Sequence, residues 1–125
     1  MPLLYSIGYG RRDNLPILNS LMQRGLQLVD IRFKPWSNIP SFRRSELAAT
    51  YGIQYSHIGS LGNINYKGGP IELLNPQSGI RALAAILEQR DAIILCGCSA
   101  VQTCHRLTVA NLLAASMSDV TIIEL

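Results

Sequence analysis

The feature that most constrains the fold is a rhythm of short apolar runs separated by helical patterns. Its clearest member is Ala92-Ile93-Ile94-Leu95, which is apolar at every position. A strand with no polar face must be covered on both sides, as strands of parallel sheets are. Leu3 to Gly8 reads as a first strand, Leu26 to Ile31 as a second, Ile53 to Ile58 as a third, and Val120 to Glu124 as a fifth after 92–95. Between them, helices are expected from an Asn14 cap to Arg24, over 42–51 after a Ser41 cap, from Gln77 to Arg90, and from Thr103 to Ser116. Gly25 and Gly52 stand where helices end. Strand–helix alternation predicts a three-layer, Rossmann-like α/β domain. Its five-stranded sheet is mainly parallel, with helices on both faces. The expected strand order is 3-2-1-4-5, with the ends of the first and fourth strands side by side.

The 125 residues suit a single domain spanning 1–125. At 48% apolar and 15% charged residues, the chain can bury a core, which excludes a disordered polymer. No apolar run approaches the ~20 residues of a membrane-spanning helix, so no membrane partner is expected. Residues Met1 to Tyr5 have neither a basic stretch nor a long apolar one, so no signal peptide is expected. Cys96, Cys98 and Cys104 fall within nine positions. An odd, clustered set makes a poor disulfide framework, which suggests reduced thiols and a cytoplasmic setting.

Polar residues gather where the strands end, and α/β sheets bind ligands beyond those carboxyl ends. The first strand runs into Gly8-Tyr9-Gly10-Arg11-Arg12 and the second into Asp30-Ile31-Arg32-Phe33-Lys34. The third ends at His57 and the fourth at Cys96-Gly97-Cys98. The net charge is only +3, yet Arg11, Arg12, Arg32, Lys34, Arg43, Arg44 and Arg106 fall on this rim or next to it. Such a concentration favours a small anionic ligand, phosphate- or nucleotide-like. The candidate anion contacts are Arg11, Arg32 and Arg106, with the backbone of Gly8 and Gly10 approaching closely. Gly8-Tyr9-Gly10 alone is a weak nucleotide signal, because no third glycine follows at the helix start. Residues 59–76 hold four glycines, three asparagines and two prolines, and read as a long functional or mobile loop.

If the chain has chemistry, it lies in Cys96-Gly97-Cys98-x5-Cys104-His105-Arg106. With Thr103 as cap, Cys104 would sit in the first turn of a helix, where free amides and the macrodipole promote ionisation of a thiol. Cys104 or Cys98 is then the candidate nucleophile, with His57 or His105 as base. Asp30 is a candidate acid/base, or an orienting partner for Arg106. The same dipole disfavours Arg106 unless an anion is close. The bland alternatives are cysteines that fill space and a histidine that is merely hydrogen-bonded. The trio with His105 can also complete a tetrahedral zinc site, although Cys-x-Cys is tighter than the usual spacing, and neither metal nor cofactor is expected. The Cys-x5-Arg loop of tyrosine phosphatases and rhodaneses is not matched: Cys104 stands six after Cys98 and Gln102 six after Cys96. Trp36 and Phe42 can stack on a ring or tie their loop to the core. A nucleic-acid-binding module, with Arg11, Arg12, Arg43 and Arg44 on phosphates and Tyr9 or Trp36 stacking, is the first alternative. A non-catalytic partner-binding protein is the second. Oligomeric state is not legible.

Several segments together resemble the domain of unknown function 488 family. They are Ser6-Ile7-Gly8-Tyr9-Gly10, Val29-Asp30-Ile31-Arg32 with Pro35, Phe42 and Leu47, Tyr55-Ser56-His57-Ile58 with Leu61-Gly62, and Leu95-Cys96 with Cys104-His105-Arg106. The family's opening motif is similar to Gly-His-Ser or Gly-His-Thr, where this chain has Gly8-Tyr9-Gly10. An acidic residue usually stands where this chain has Cys98. The resemblance implies a small cytoplasmic α/β protein with a functional rim and brings no substrate.

Overall fold

A computed structural model describes residues 2–9, 14–97 and 104–125. The described chain runs β1 (Leu3–Gly8), α1 (Leu15–Met22), β2 (Gln27–Asp30), α2 (Arg44–Tyr51), β3 (Tyr55–His57), α3 (Pro76–Gln89), β4 (Ala92–Cys96), α4 (His105–Ser116) and β5 (Thr121–Glu124). Short 3-10 turns stand at Pro40–Phe42, Gly52–Gln54 and Gly59–Leu61. All the strand pairings in the sheet are parallel.

The strand order is β3-β2-β4-β1-β5, not 3-2-1-4-5. β4 inserts between β2 and β1, and the reason lies in its composition. Every residue from Ala92 to Cys96 is buried, so the strand belongs at the centre of the sheet. β3 and β5, each only partly buried, form the edges. β1 and β4 are neighbours as expected, with Gly8 level with Cys96. Asp30 is level with Leu95 on one side and His57 on the other. The carboxyl ends of β1, β2, β3 and β4 therefore share one rim.

Alternation along the strands divides the core in two. Tyr5, Ile7, Leu28, Ile93 and Leu95 pack with Leu18, Leu21 and Met22 of α1 and Leu47 of α2. Leu4, Val29, Ala92, Ile94 and Cys96 pack with Ile80, Leu83 and Leu87 of α3 and Val109 and Leu113 of α4. Helices cover both faces, as the apolar strands require. No described helix is long and apolar enough to cross a membrane.

Several expected ends shift. Asn14 holds the N-cap position of α1, but its side chain donates to the Gly8 carbonyl instead of capping. The helix thereby hangs from the end of β1. Ser41 falls inside a 3-10 turn, and α2 starts only at Arg44. The cap of α4 is Cys104 itself, whose sulfur accepts from the Arg106 amide, so Cys104 precedes the first turn. The proposed Thr103 cap lies outside the described residues.

The 59–76 segment is less irregular than its composition suggests. Leu61 is fully buried. Asn63 and Leu73 form an antiparallel bridge, and Ile64 donates to Glu72 and Leu74 to Gly62. The segment is a narrow excursion that turns at Gly68 and Gly69 (φ 99° at Gly69), where only glycine is unstrained. Its base is pinned at Gly62, where a Cβ would stand 2.4 Å from the Phe33 Cα. We therefore expect Gly62→Ala to cost about 1–3 kcal/mol through forced displacement of the Phe33 backbone. A urea midpoint equal to wild type would show that the two segments do not meet as described.

Candidate functional site

The rim is organised by one buried carboxylate. Asp30 is fully buried at the end of β2. It accepts from the Arg32 backbone N–H at 3.1 Å, Arg32 Nε at 2.8 Å, Arg32 Nη2 at 2.6 Å and the Tyr55 hydroxyl at 2.7 Å. The Arg32 fork thus folds back on the strand that carries it. Its Nη1 donates to the Tyr9 hydroxyl at 2.7 Å, and the Tyr9 ring stacks on Phe42 at 4.2 Å between centroids, almost parallel. Burial works against the charge on Arg32, but the bonds and charge of Asp30 outweigh it and raise the guanidinium pKa. Tyr55 is raised by burial first and then by the adjacent Asp30 carboxylate. Both therefore stay protonated across the physiological range.

The two histidines brace the same loop. His57 Nε2 donates to the Arg32 carbonyl at 2.7 Å, and His105 Nε2 donates to the Ile31 carbonyl at 2.7 Å. Since a carbonyl only accepts, Nε2 carries the proton in each ring. Burial lowers the His105 pKa, with the Arg106 charge adding to the effect and the Ile31 and Asp30 interactions opposing it.

Above this floor lies a cleft of about 510 Å³. Tyr9, Gly97 and His105 come from the β1 and β4 ends and the start of α4. Arg32, Phe33, Lys34 and Trp36 come from the segment after β2. Asn63, Asn65, Tyr66, Lys67, Gly68, Gly69 and Ile71 come from the 62–75 excursion, which forms the far wall. Among the described residues lining it there are three cations and no carboxylate. Lys34 and Lys67 each place their ammonium 5.9 Å from the Tyr66 ring centre. Trp36 is 60% exposed at the mouth, with the Arg43 guanidinium 5.1 Å from its ring centre. Asn63 fixes the wall by accepting from the Asn65 and Glu72 amides through Oδ1, which leaves its amide nitrogen as a donor at the cleft.

Of the residues singled out from sequence, Arg32 and His105 line the cleft, Asp30 and His57 support it, and Gly8 ends β1 beside it. Arg11, Gly10 and Cys98 lie outside the described residues, as does Arg12. Arg106 is corrected. It does not meet Asp30, nor is it among the cleft-lining residues; its Nη1 donates to the Ser6 hydroxyl at 3.3 Å and to the Glu124 carboxylate on β5. The conflict between Arg106 and the helix N-terminus is met by Glu124, although Arg106 Nε is buried without a hydrogen-bond partner. Phe42 serves the core rather than a ligand.

Cys104 is 1% exposed in the core beneath the rim, with its sulfur 2.6 Å from that of Cys96 and 3.9 Å from His105 Nδ1. It is disulfide-bonded in this structure, contrary to the expectation of reduced thiols. In that state it has no thiolate to offer as a nucleophile. Phe33, Tyr66, Lys67, Asn63 and Asn65 were not singled out. Only the glycine-rich composition around the last four marked that stretch as functional, and composition does not say which side chains turn inward.

The fold and cleft define a parallel α/β protein with a cationic, aromatic-lined site at its strand ends. No family model matches the chain, and no curated protein or solved structure shows significant similarity to it.

Asp30→Asn leaves the Arg32 charge buried without its counterion, and we expect a loss of about 3–5 kcal/mol in urea denaturation. Tyr55→Phe removes one of several hydrogen bonds to the charged carboxylate and is expected to cost about 1.5–2 kcal/mol. Equal effects from the two variants would contradict the primacy of the ion pair.

Proposed function

We propose that the protein binds a small phosphorylated ligand of the nucleotide class in the cleft between the strand ends and the 62–75 wall. The observation that carries this reading is the lining itself. Arg32, Lys34 and Lys67 converge with Tyr9, Phe33, Trp36 and Tyr66, and no acid lines the cleft among the described residues. Cations satisfy a phosphate, and aromatic faces accept a flat ring. Arg32 is already committed to Asp30 through Nε and Nη2 and to Tyr9 through Nη1, so its role is to hold shape, while Lys34 and Lys67 supply the charge that a ligand neutralises. Asn63 offers a side-chain donor to a base edge. The motif resemblance to the domain of unknown function 488 family supports the rim as the functional region without adding a ligand.

A nucleic-acid strand is the second reading, favoured by the Trp36–Arg43 stack, which lies at the mouth where a strand would pass. Cysteine-dependent chemistry ranks below both, because Cys104 is buried beneath the cleft rather than facing it.

Trp36 is the sole tryptophan and lines the cleft, so its fluorescence reports occupancy. Adenosine monophosphate should quench it saturably, with inorganic phosphate competing at higher concentration. Lys34→Ala and Lys67→Ala are each expected to weaken binding roughly 10-fold, about 1.4 kcal/mol, without changing the thermal midpoint. Tight binding of a single-stranded oligonucleotide with a steep salt slope, and none of mononucleotide, would move the assignment to the second reading. Titrations that show no response, or affinities unchanged in both lysine variants, would overturn the cleft assignment.

A further inference from the structure

Beneath the cleft, and whatever the cleft holds, three soft donors meet. Cys96 ends β4, Cys104 caps α4, and His105 opens that helix. One ligand atom from each lies within 4.8 Å of the others, and all three residues are buried. Buried cysteines alone are ordinary core filling. The histidine is what distinguishes this cluster. Its Nε2 is committed as a donor to the Ile31 carbonyl, so the lone pair stays on Nδ1, 3.9 Å from Cys104 Sγ. One ring nitrogen donating to a backbone carbonyl while the other turns toward sulfur is the arrangement of a metal-binding imidazole with its orienting partner.

We propose that the reduced chain binds a zinc-class divalent cation through Cys96 Sγ, Cys104 Sγ and His105 Nδ1. Two thiolates and a neutral imidazole cancel the charge of such an ion, which suits a buried position. Tetrahedral bonds of about 2.0 Å to nitrogen and 2.3 Å to sulfur put ligand nitrogen and sulfur about 3.5 Å apart and two sulfurs about 3.8 Å apart. The nitrogen–sulfur separation of 3.9 Å is near that value, whereas the sulfurs at 2.6 Å must part by roughly 1 Å through side-chain rotation. Three protein ligands leave a fourth position for water or a small anion.

The site is conditional on redox state, because Cys104 is disulfide-bonded in this structure. A thiol reductant must first deliver two electrons. The sulfur–sulfur bond breaks, each half takes up a proton, and the reductant leaves as its own disulfide. On metal binding, Cys96 and Cys104 each release a thiol proton to solvent and form a sulfur–metal bond. His105 releases none. The oxidised chain lacks the Cys104 thiolate and does not bind.

The test is titration of Co2+ into the full chain, held reduced with a phosphine under argon. The expected result is a thiolate-to-cobalt charge-transfer band with visible bands of tetrahedral intensity, saturating at one equivalent and displaced by Zn2+. Even residues that only orient metal ligands typically cost about 10–100-fold in affinity when changed, so Cys96→Ser and His105→Gln should each weaken binding by at least about 10-fold. His57→Gln should not. Diamide-oxidised protein should show no band. No charge-transfer band in the reduced wild type, or an undiminished one in Cys96→Ser and His105→Gln, overturns the proposal, as does a band in the oxidised chain. Should those variants fail to fold, alkylation of the reduced wild type decides: Zn2+ must protect Cys96 and Cys104, and an unprotected Cys96 overturns it.

Discussion

The Asp30–Arg32 pair is the interaction on which the strand-end rim of the molecule depends. The carboxylate has no solvent, so its charge is compensated by the Arg32 fork, the Arg32 amide and the Tyr55 hydroxyl. Asp30 and Arg32 stand two apart on one face of the extended chain, within reach of the long arginine side chain. The Ile31 and Arg32 carbonyls of the same segment accept from His105 and His57. The remaining Arg32 nitrogen donates to Tyr9. The end of β1, β2, β3 and α4 are thereby tied at one level by polar bonds, above the two apolar clusters. Buried pairs of this kind add little net stability over apolar packing but strongly penalise alternatives that separate them. The pair therefore acts mainly to specify the geometry of the rim.

The cleft follows from that geometry. Past Arg32, Phe33 and Lys34 meet the 62–75 excursion, where Gly62 lets the two backbones touch. Tyr66 and Lys67 then face Phe33 and Lys34 across the opening, with the two rings 6.0 Å apart between centroids. Among the described residues lining the cleft, the positive charge not already paired with a carboxylate is carried by Lys34 and Lys67. The arginine that looks most like an anion clamp, Arg106, is occupied by Glu124 on the far edge strand.

The fold was legible because β-strand burial leaves a plain signature. An unbroken apolar run such as Ala92–Leu95 admits few structures other than a covered parallel strand. The expected order sets β1 at the centre instead of β4, because both strands are largely apolar and composition does not rank them. For the site, Asp30, Arg32, His57 and His105 were legible as polar residues at strand ends. Their partners were not. Sequence offers Arg106 as one partner for Asp30, whereas the structure pairs Asp30 with Arg32, two positions on. A strand turns such neighbours to the same face, but residue spacing alone does not say that the arginine folds back on its own strand rather than out to a ligand. Tyr66 and Lys67 were hidden because a glycine-rich loop has no periodicity from which facing can be read. By residue type Thr103 is the better cap, which sets Cys104 one position too deep in its helix; the cap is Cys104 itself.

The central claim is that the strand-end cleft is the binding site, and amide and indole chemical shifts locate binding most directly. With adenosine monophosphate added to isotopically labelled protein, the account predicts shifts concentrated at Lys34, Tyr66 and Lys67 and at the Trp36 indole, saturating together. The helical face formed by α3 should stay unmoved. Shifts centred on α3 or on β5, or a spectrum indifferent to the nucleotide, would contradict it.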